Sequence, residues 1–276
     1  MIERDVQLPD GRTLHVYDTG QDGDNRNAVV WHHGTPGLGW PPEPLFPAAE
    51  RLGVRWIGVD RPGYGGSTVN AGRTIASVAR DVGHMADALG IDRFAVMGMS
   101  GGGSFALGCA AVLGDRVRAC ATLAAVAPFD TAEFDWFAGM SPSGVAALGT
   151  AAAGRPVRAA LDASGFDYVL TFTDDDLALF DGPWGWLGSV AGGARDAGPW
   201  GEIDDDVCYT HAWECDPADI QCPALVFHGT DDTVVPARHG IWLAERCPTA
   251  SLRLIDGASH FTIMHQAEHA LEWLQG

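Results

Sequence analysis

The sequence predicts an α/β protein built on one mostly parallel sheet with helices on both faces. Two observations carry that expectation. Short apolar runs alternate with stretches of helical periodicity up to about residue 127, and again from Ala224 to the end. Three of those runs end in polar, glycine-containing loops that hold a serine, an aspartate and a histidine. Open α/β sheets build their sites at such carboxyl ends of strands.

Taken in order, the chain opens with a short strand pair near residues 5–8 and 13–18. Further strands are expected near 28–32, 55–59, 94–99 and 118–123. Ile75, Val78, Val82, Met85 and Leu89 recur at helical spacing, and Gly90 is placed to stop that helix. Ser104 to Leu113 reads as a second helix. From Ala224 the pattern is strand, helix, strand, helix. Between Pro128 and Cys215 the alternation stops, and these 88 residues read as short helices and loops broken by Gly and Pro.

A chain of 276 residues, 46% of them hydrophobic, is long enough for one domain with a large core. Met1 to Val6 reads as a first strand rather than a secretory leader. No apolar run approaches the roughly 18 residues that span a bilayer. A soluble, cytoplasmic protein is therefore expected. Six cysteines without a CxxC pair suggest free thiols rather than disulfides or a metal site. The net charge of −19 comes from 36 acidic residues against 17 basic ones, all of them arginine. Absence of lysine excludes Schiff-base chemistry and a P-loop lysine. The acidic balance argues against nucleic acid and anionic membranes as partners.

Gly98-Met99-Ser100-Gly101-Gly102 follows the apolar run Phe94–Met97 and precedes a helix. A serine flanked by glycines on a strand-to-helix turn is how a chain exposes a nucleophilic hydroxyl. Such a hydroxyl needs a base, and the base needs an orienting acid. Asp231 and Asp232 follow the run Val226–Gly229, and His260 lies 28 residues after Asp232, beyond the run Leu252–Ile255.

Two more motifs stand in register with these: His32-His33-Gly34-Thr35-Pro36-Gly37, and Asp60-Arg61-Pro62-Gly63-Tyr64-Gly65-Gly66-Ser67. With all five, nearly the whole chain resembles the α/β-hydrolase-fold serine hydrolases. The resemblance implies a core formed by residues 1–127 and 216–276, with a helical cap, residues 128–215, inserted after the sixth strand. It implies Ser100 as nucleophile, His260 as general base and acid, and Asp232 as the acid that orients the imidazole. Asp232 is preferred to Asp231 because the family places the acid three residues after the glycine and four before the proline, here Gly229 and Pro236. Backbone N–H groups of Gly101 and Thr35 are the implied oxyanion hole, since Pro36 has no N–H. His33 falls within the oxyanion motif, His228 beside the acid, and His265 and His269 on packed helical faces. No cofactor and no metal are implied.

The activity implied is hydrolysis of a small-molecule carboxylic ester, lactone or related acyl bond. A serine at this turn argues against haloalkane dehalogenase and epoxide hydrolase chemistry, whose relatives carry aspartate there. Proline-iminopeptidase-like, cofactor-free perhydrolase and carbon–carbon bond hydrolase activities stay open. So does a non-catalytic ligand-binding role on the same fold. The cap region holds 13 of the 25 aromatic residues and 15 acids against three arginines. Most of the aromatics should form its own core, and most of the acids a solvated outer face. A few aromatics, with Trp136, Phe137, Trp184 and Trp186 as candidates, are expected to line an apolar pocket. An acidic rim would favour a neutral or cationic small molecule with an apolar part.

Overall fold

A computed structural model describes residues 1–20, 27–131, 133–168 and 172–276. Among them every strand expected from the pattern forms: β1 (Ile2–Gln7), β2 (Thr13–Asp18), β3 (Ala28–His32), β4 (Arg55–Val59), β5 (Phe94–Met99), β6 (Val117–Leu123), β7 (Ala224–Gly229) and β8 (Ala250–Ile255). Their order across one sheet is β1-β2-β4-β3-β5-β6-β7-β8. Strand β2 runs antiparallel to both β1 and β4, and all other neighbours are parallel. Strands β3, β4, β5 and β7 are buried along their whole length, as apolar runs covered on both faces must be. The edge strand β8 is half-exposed.

Core helices are α1 (Phe46–Leu52), α2 (Ile75–Ala88), α3 (Gly101–Leu113), α9 (Arg238–Arg246) and α10 (Ala267–Trp273). Helix α2 begins on a capping box in which Thr74 and Ser77 satisfy each other's backbone N–H groups. It stops at Gly90, whose φ of +66° is the left-handed conformation that ends helices. Side chains alternate across the sheet. Val30 and Val96 pack with α2 and α3 on one face, while Trp31, Met97 and Met99 face the core that includes α1 and α10.

Helices α4 (Pro142–Ala152), α5 (Arg155–Ala163), α6 (Asp174–Phe180), α7 (Trp186–Gly193) and α8 (Trp200–Thr210) lie between β6 and β7. The expected solvated acidic face does not hold for α8. Its Glu202, Asp204, Asp205 and Asp206 are all buried. Arginines turn inward to meet them: Arg155 on Asp204, Arg73 on Asp205, Arg158 on Asp206 and Arg195 on Glu202. Burying four carboxylates is tolerable only with such partners. No described helix is long and apolar enough to cross a membrane.

The chain leaves β3 for β4 on one side and places β5 on the other, so the strand order reverses between β3 and β5. A crevice at the carboxyl ends of the strands forms at such a switch point. Both the Gly34–Thr35 loop and Ser100 are there.

Candidate active site

Ser100 alone separates β5 from α3, and the sharpness of the turn is visible in its backbone, φ 54° and ψ −132°. A non-glycine residue there is strained, and the surrounding glycines are what permit it. A Cβ on Gly98 would run into the Gly102 carbonyl, and one on Gly102 into the carbonyls of His32 and His33. The first turn of α3 thus rests directly on the backbone of β3 and β5. Gly102→Ala should cost about 3 kcal/mol or more, the upper end of overpacking, because backbone rather than side chain must give way. Urea denaturation would measure it; a loss below ~1 kcal/mol would mean that the helix can slide.

The three polar residues meet in a line. His260 Nε2 lies 3.0 Å from Ser100 Oγ, and His260 Nδ1 lies 2.7 Å from Asp232 Oδ2. Asp232 and His260 are buried, and Ser100 is partly exposed to the crevice. The other Asp232 oxygen accepts from the N–H groups of Val234 and Val235, at 2.9 and 2.8 Å. Those two donors aim Oδ2 at the imidazole. Asp231 is exposed and accepts a local hydroxyl, that of Thr230. His228 Nε2 donates to the Val235 carbonyl, and burial lowers the pKa of its ring, which therefore stays neutral beside the acid.

The His260 loop is held from outside the core. Asp176 on α6 accepts from the Ser259 hydroxyl at 2.5 Å and from the N–H groups of Phe261 and Thr262 at 2.9 and 3.1 Å. Its contacts bracket His260 in sequence. Across the crevice, a Cβ built on Gly34 would stand 3.8 Å from that of Ser100, so the Thr35 loop runs alongside the hydroxyl. Gly101 opens α3, and its N–H, as in any first helical turn, has no intrahelical acceptor. The neighbouring His33 is buried and neutral. Its Nε2 accepts the Arg61 N–H, so Nδ1 carries the proton and donates to the Gly34 carbonyl at 2.7 Å.

Ser100 and His260 open onto a cavity of about 800 Å³. Part of its wall is apolar, with Trp31, Met99, Phe172, Phe180, Trp186 and Phe261. Another part is a charged cluster of Arg158, Asp162, Arg195, Glu202 and Asp206, paired among themselves. Of the four aromatic candidates only Trp186 lines this cavity. Trp136 and Phe137 pack against each other and Phe129, and the Trp136 indole donates to the Ala127 carbonyl. Trp184 is buried behind Trp186. Trp136 and Phe137 pack onto the core where the chain enters the insertion, and Trp184 packs within the second core cluster. Acids of the insertion, expected as a rim, stand in this wall as Asp162, Glu202 and Asp206, with Arg158 and Arg195 among them. The sequence signal for this cluster is the acid run Asp204–Asp206 inside an otherwise apolar helix.

The comparisons agree with this architecture. A family model for the alpha/beta hydrolase fold matches residues 27–267, and the chain belongs to that family. A hydrolase from Pseudomonas aeruginosa PA01 is similar in structure, with a TM-score of 0.72, 21% identity and coverage of 99% of this chain and 98% of that one. An esterase from Exiguobacterium antarcticum gives a TM-score of 0.70 and 23% identity, covering 99% and 98%. The enol-lactonase of Burkholderia xenovorans LB400 gives 0.69 and 22%, covering 98% of each chain. In sequence, a 59-residue stretch is 42% identical to the alpha/beta hydrolase domain-containing protein aho-3 of Caenorhabditis elegans. That stretch spans only 18% of the relative.

Proposed function

We propose that this protein is a serine hydrolase that cleaves a small-molecule carboxylic ester, lactone or related acyl bond. The observation that carries the reading is His260, hydrogen-bonded to Ser100 on one side and to Asp232 on the other, at the wall of a cavity. Ser100 Oγ attacks the substrate carbonyl carbon while His260 Nε2 takes its proton. The carbonyl oxygen becomes an oxyanion between the N–H groups of Thr35 and Gly101. Collapse expels the alcohol oxygen, which receives the proton from His260 and leaves an acyl-serine. Water then attacks the acyl carbon with His260 as base, and the carboxylic acid departs. Asp232 keeps the proton-accepting nitrogen of His260 towards Ser100 throughout. No step requires a cofactor.

Intact-mass labelling with a fluorophosphonate tests the reading. Wild type should gain one adduct, and Ser100→Ala and His260→Ala should gain none. A folded wild type that neither labels nor turns over an ester and lactone panel would sink it in favour of a binding role.

The cavity also bears on the substrate. An apolar set of wall residues and a charged cluster with more carboxylates than guanidiniums fit a neutral or cationic molecule with an apolar part. Burial pushes the Asp206 carboxyl up to about 7, against the pull of Arg158 and with the push of Glu202. Raising the pH through that value ionises it and adds one negative charge to the cavity. A trimethylammonium ester, whose charge does not titrate, should therefore gain on its neutral tert-butyl isostere. The KM ratio of the two should shift roughly fivefold towards the cation between pH 6 and 8, the equivalent of ~1 kcal/mol. A flat ratio would separate Asp206 from the substrate.

A further inference from the structure

Asp205 sits on α8, outside the sheet core, yet it is the most heavily bonded carboxylate in the site's surroundings. Its Oδ1 accepts from Arg73 Nη2 at 2.6 Å, and its Oδ2 from Arg61 Nη2 at 2.6 Å, Tyr64 Oη at 2.9 Å and Thr35 Oγ1 at 2.8 Å. Asp205, Arg61 and Arg73 are all buried, and the two guanidiniums hold the carboxyl well below its ordinary pKa. It therefore has no proton to give.

Two consequences follow for the loop beside Ser100. The first concerns peptide planes. Arg61, gripped by Asp205, donates Nη1 to the His33 carbonyl at 2.5 Å and Nη2 to the Gly34 carbonyl at 3.0 Å. The Gly34 carbonyl also takes the His33 Nδ1–H. In a planar trans peptide the C=O and the next residue's N–H point in opposite directions. Fixing the Gly34 carbonyl on Arg61 thus turns the Thr35 N–H to the side away from Arg61.

The second concerns the Thr35 hydroxyl. Its single proton goes to Asp205, so Tyr209 Oη, 2.6 Å away, must be the donor in their mutual bond. Arg61 Nη2 donates to the same oxygen at 3.1 Å. The hydroxyl is saturated and cannot swing into the crevice. Tyr209 stands one helical turn after Asp205 on the same face of α8. Its hydroxyl oxygen also fills the place where a Cβ on Gly101 would be. One helix face therefore meets both residues of the proposed oxyanion hole, and neither Asp205, Arg61 nor Tyr209 lines the cavity.

The geometry points to Asp205 as a positioning residue for the oxyanion hole, acting through Arg61 on the Thr35 peptide and aided by Tyr209 against Gly101. This rests on the serine-hydrolase reading for its kinetic half only. The orientation of the Thr35 amide can be read without turnover.

The test compares wild type with Asp205→Asn and Tyr209→Phe, counting active sites by fluorophosphonate titration and recording amide ¹H–¹⁵N spectra of the resting protein. Asparagine cannot serve two guanidiniums and a hydroxyl, so kcat per titrated site should fall about 100-fold, the scale of one oxyanion donor. KM should stay within about twofold, and the Thr35 amide signal should move. Tyr209→Phe keeps the ring against Phe105 and loses the hydroxyl, both its proton towards Thr35 and its oxygen against Gly101. It should fold with a Tm lowered by about 2–4 °C at most and lose about tenfold in kcat at constant KM. If Asp205→Asn does not fold, Tyr209→Phe carries the kinetic comparison alone. A normal kcat per site in the folded variants, with lower Tm or fewer active sites only, would make the network structural and overturn the proposal. If wild type has no turnover, the hydrolase reading falls separately. An unmoved Thr35 amide in both variants would then overturn the positioning role by itself.

Discussion

Replacing Ser100 with alanine should reduce turnover by about 10⁶-fold while leaving the fold intact. The nucleophile is lost, and only substrate binding and the N–H groups of Thr35 and Gly101 remain to act on the acyl carbon. A glycine at the same place should be equally inactive but more stable than wild type. The backbone at Ser100 has φ 54°, a conformation that costs a side chain on the order of 1 kcal/mol and glycine almost nothing. In a chain of this size that corresponds to a rise of about 2–4 °C in Tm. Calorimetry of Ser100→Gly beside Ser100→Ala checks both halves. Retained turnover in either variant would remove Ser100 from the chemistry, and a lower Tm for the glycine variant would deny the strain.

Asp232→Asn should reduce kcat by about 10⁴-fold, the scale of an imidazole held in the wrong tautomer. The structure gives the reason. One oxygen of Asp232 accepts from two backbone N–H groups, so the amide oxygen of asparagine must take that place. Its NH₂ then faces His260 Nδ1 as a donor, and the ring answers by carrying its proton on Nε2. A protonated Nε2 cannot receive the proton of Ser100. Asp231→Asn, altering an exposed side chain, should change kcat less than twofold. Steady-state kinetics of the two variants separates them, and equal losses would mean that the acid is not assigned by this geometry.

These residues could be read before the fold was known because each is local to its motif. Ser100 announces itself through Gly98 and Gly102, and the glycines prove to be required by backbone approach within the turn. Asp232 and His260 each lie in the loop after a strand, β7 legible as a continuous buried apolar run and the half-exposed β8 as the run Leu252–Ile255. What could not be read depends on partners far apart in sequence. Arg61 stands in a visible motif, but its carboxylate is 144 residues away on α8. Asp176 reaches Phe261 across 85 residues. The aromatic candidates divide for a related reason. Trp136 and Trp186 look alike in sequence, and only tertiary packing decides that one faces Ala127 and the other the cavity.

The bonds from Asp176 to Ser259, Phe261 and Thr262 have a consequence for anyone recombining parts of this family. An insertion grafted from a relative would bring new cavity walls, and with them a new substrate range. It would also remove the clasp on the histidine loop unless the donor happened to place a carboxylate at the same point. Chimeras should therefore be screened first for a retained hydrogen-bond acceptor under residues 259–262, and only then for the shape of the pocket they create.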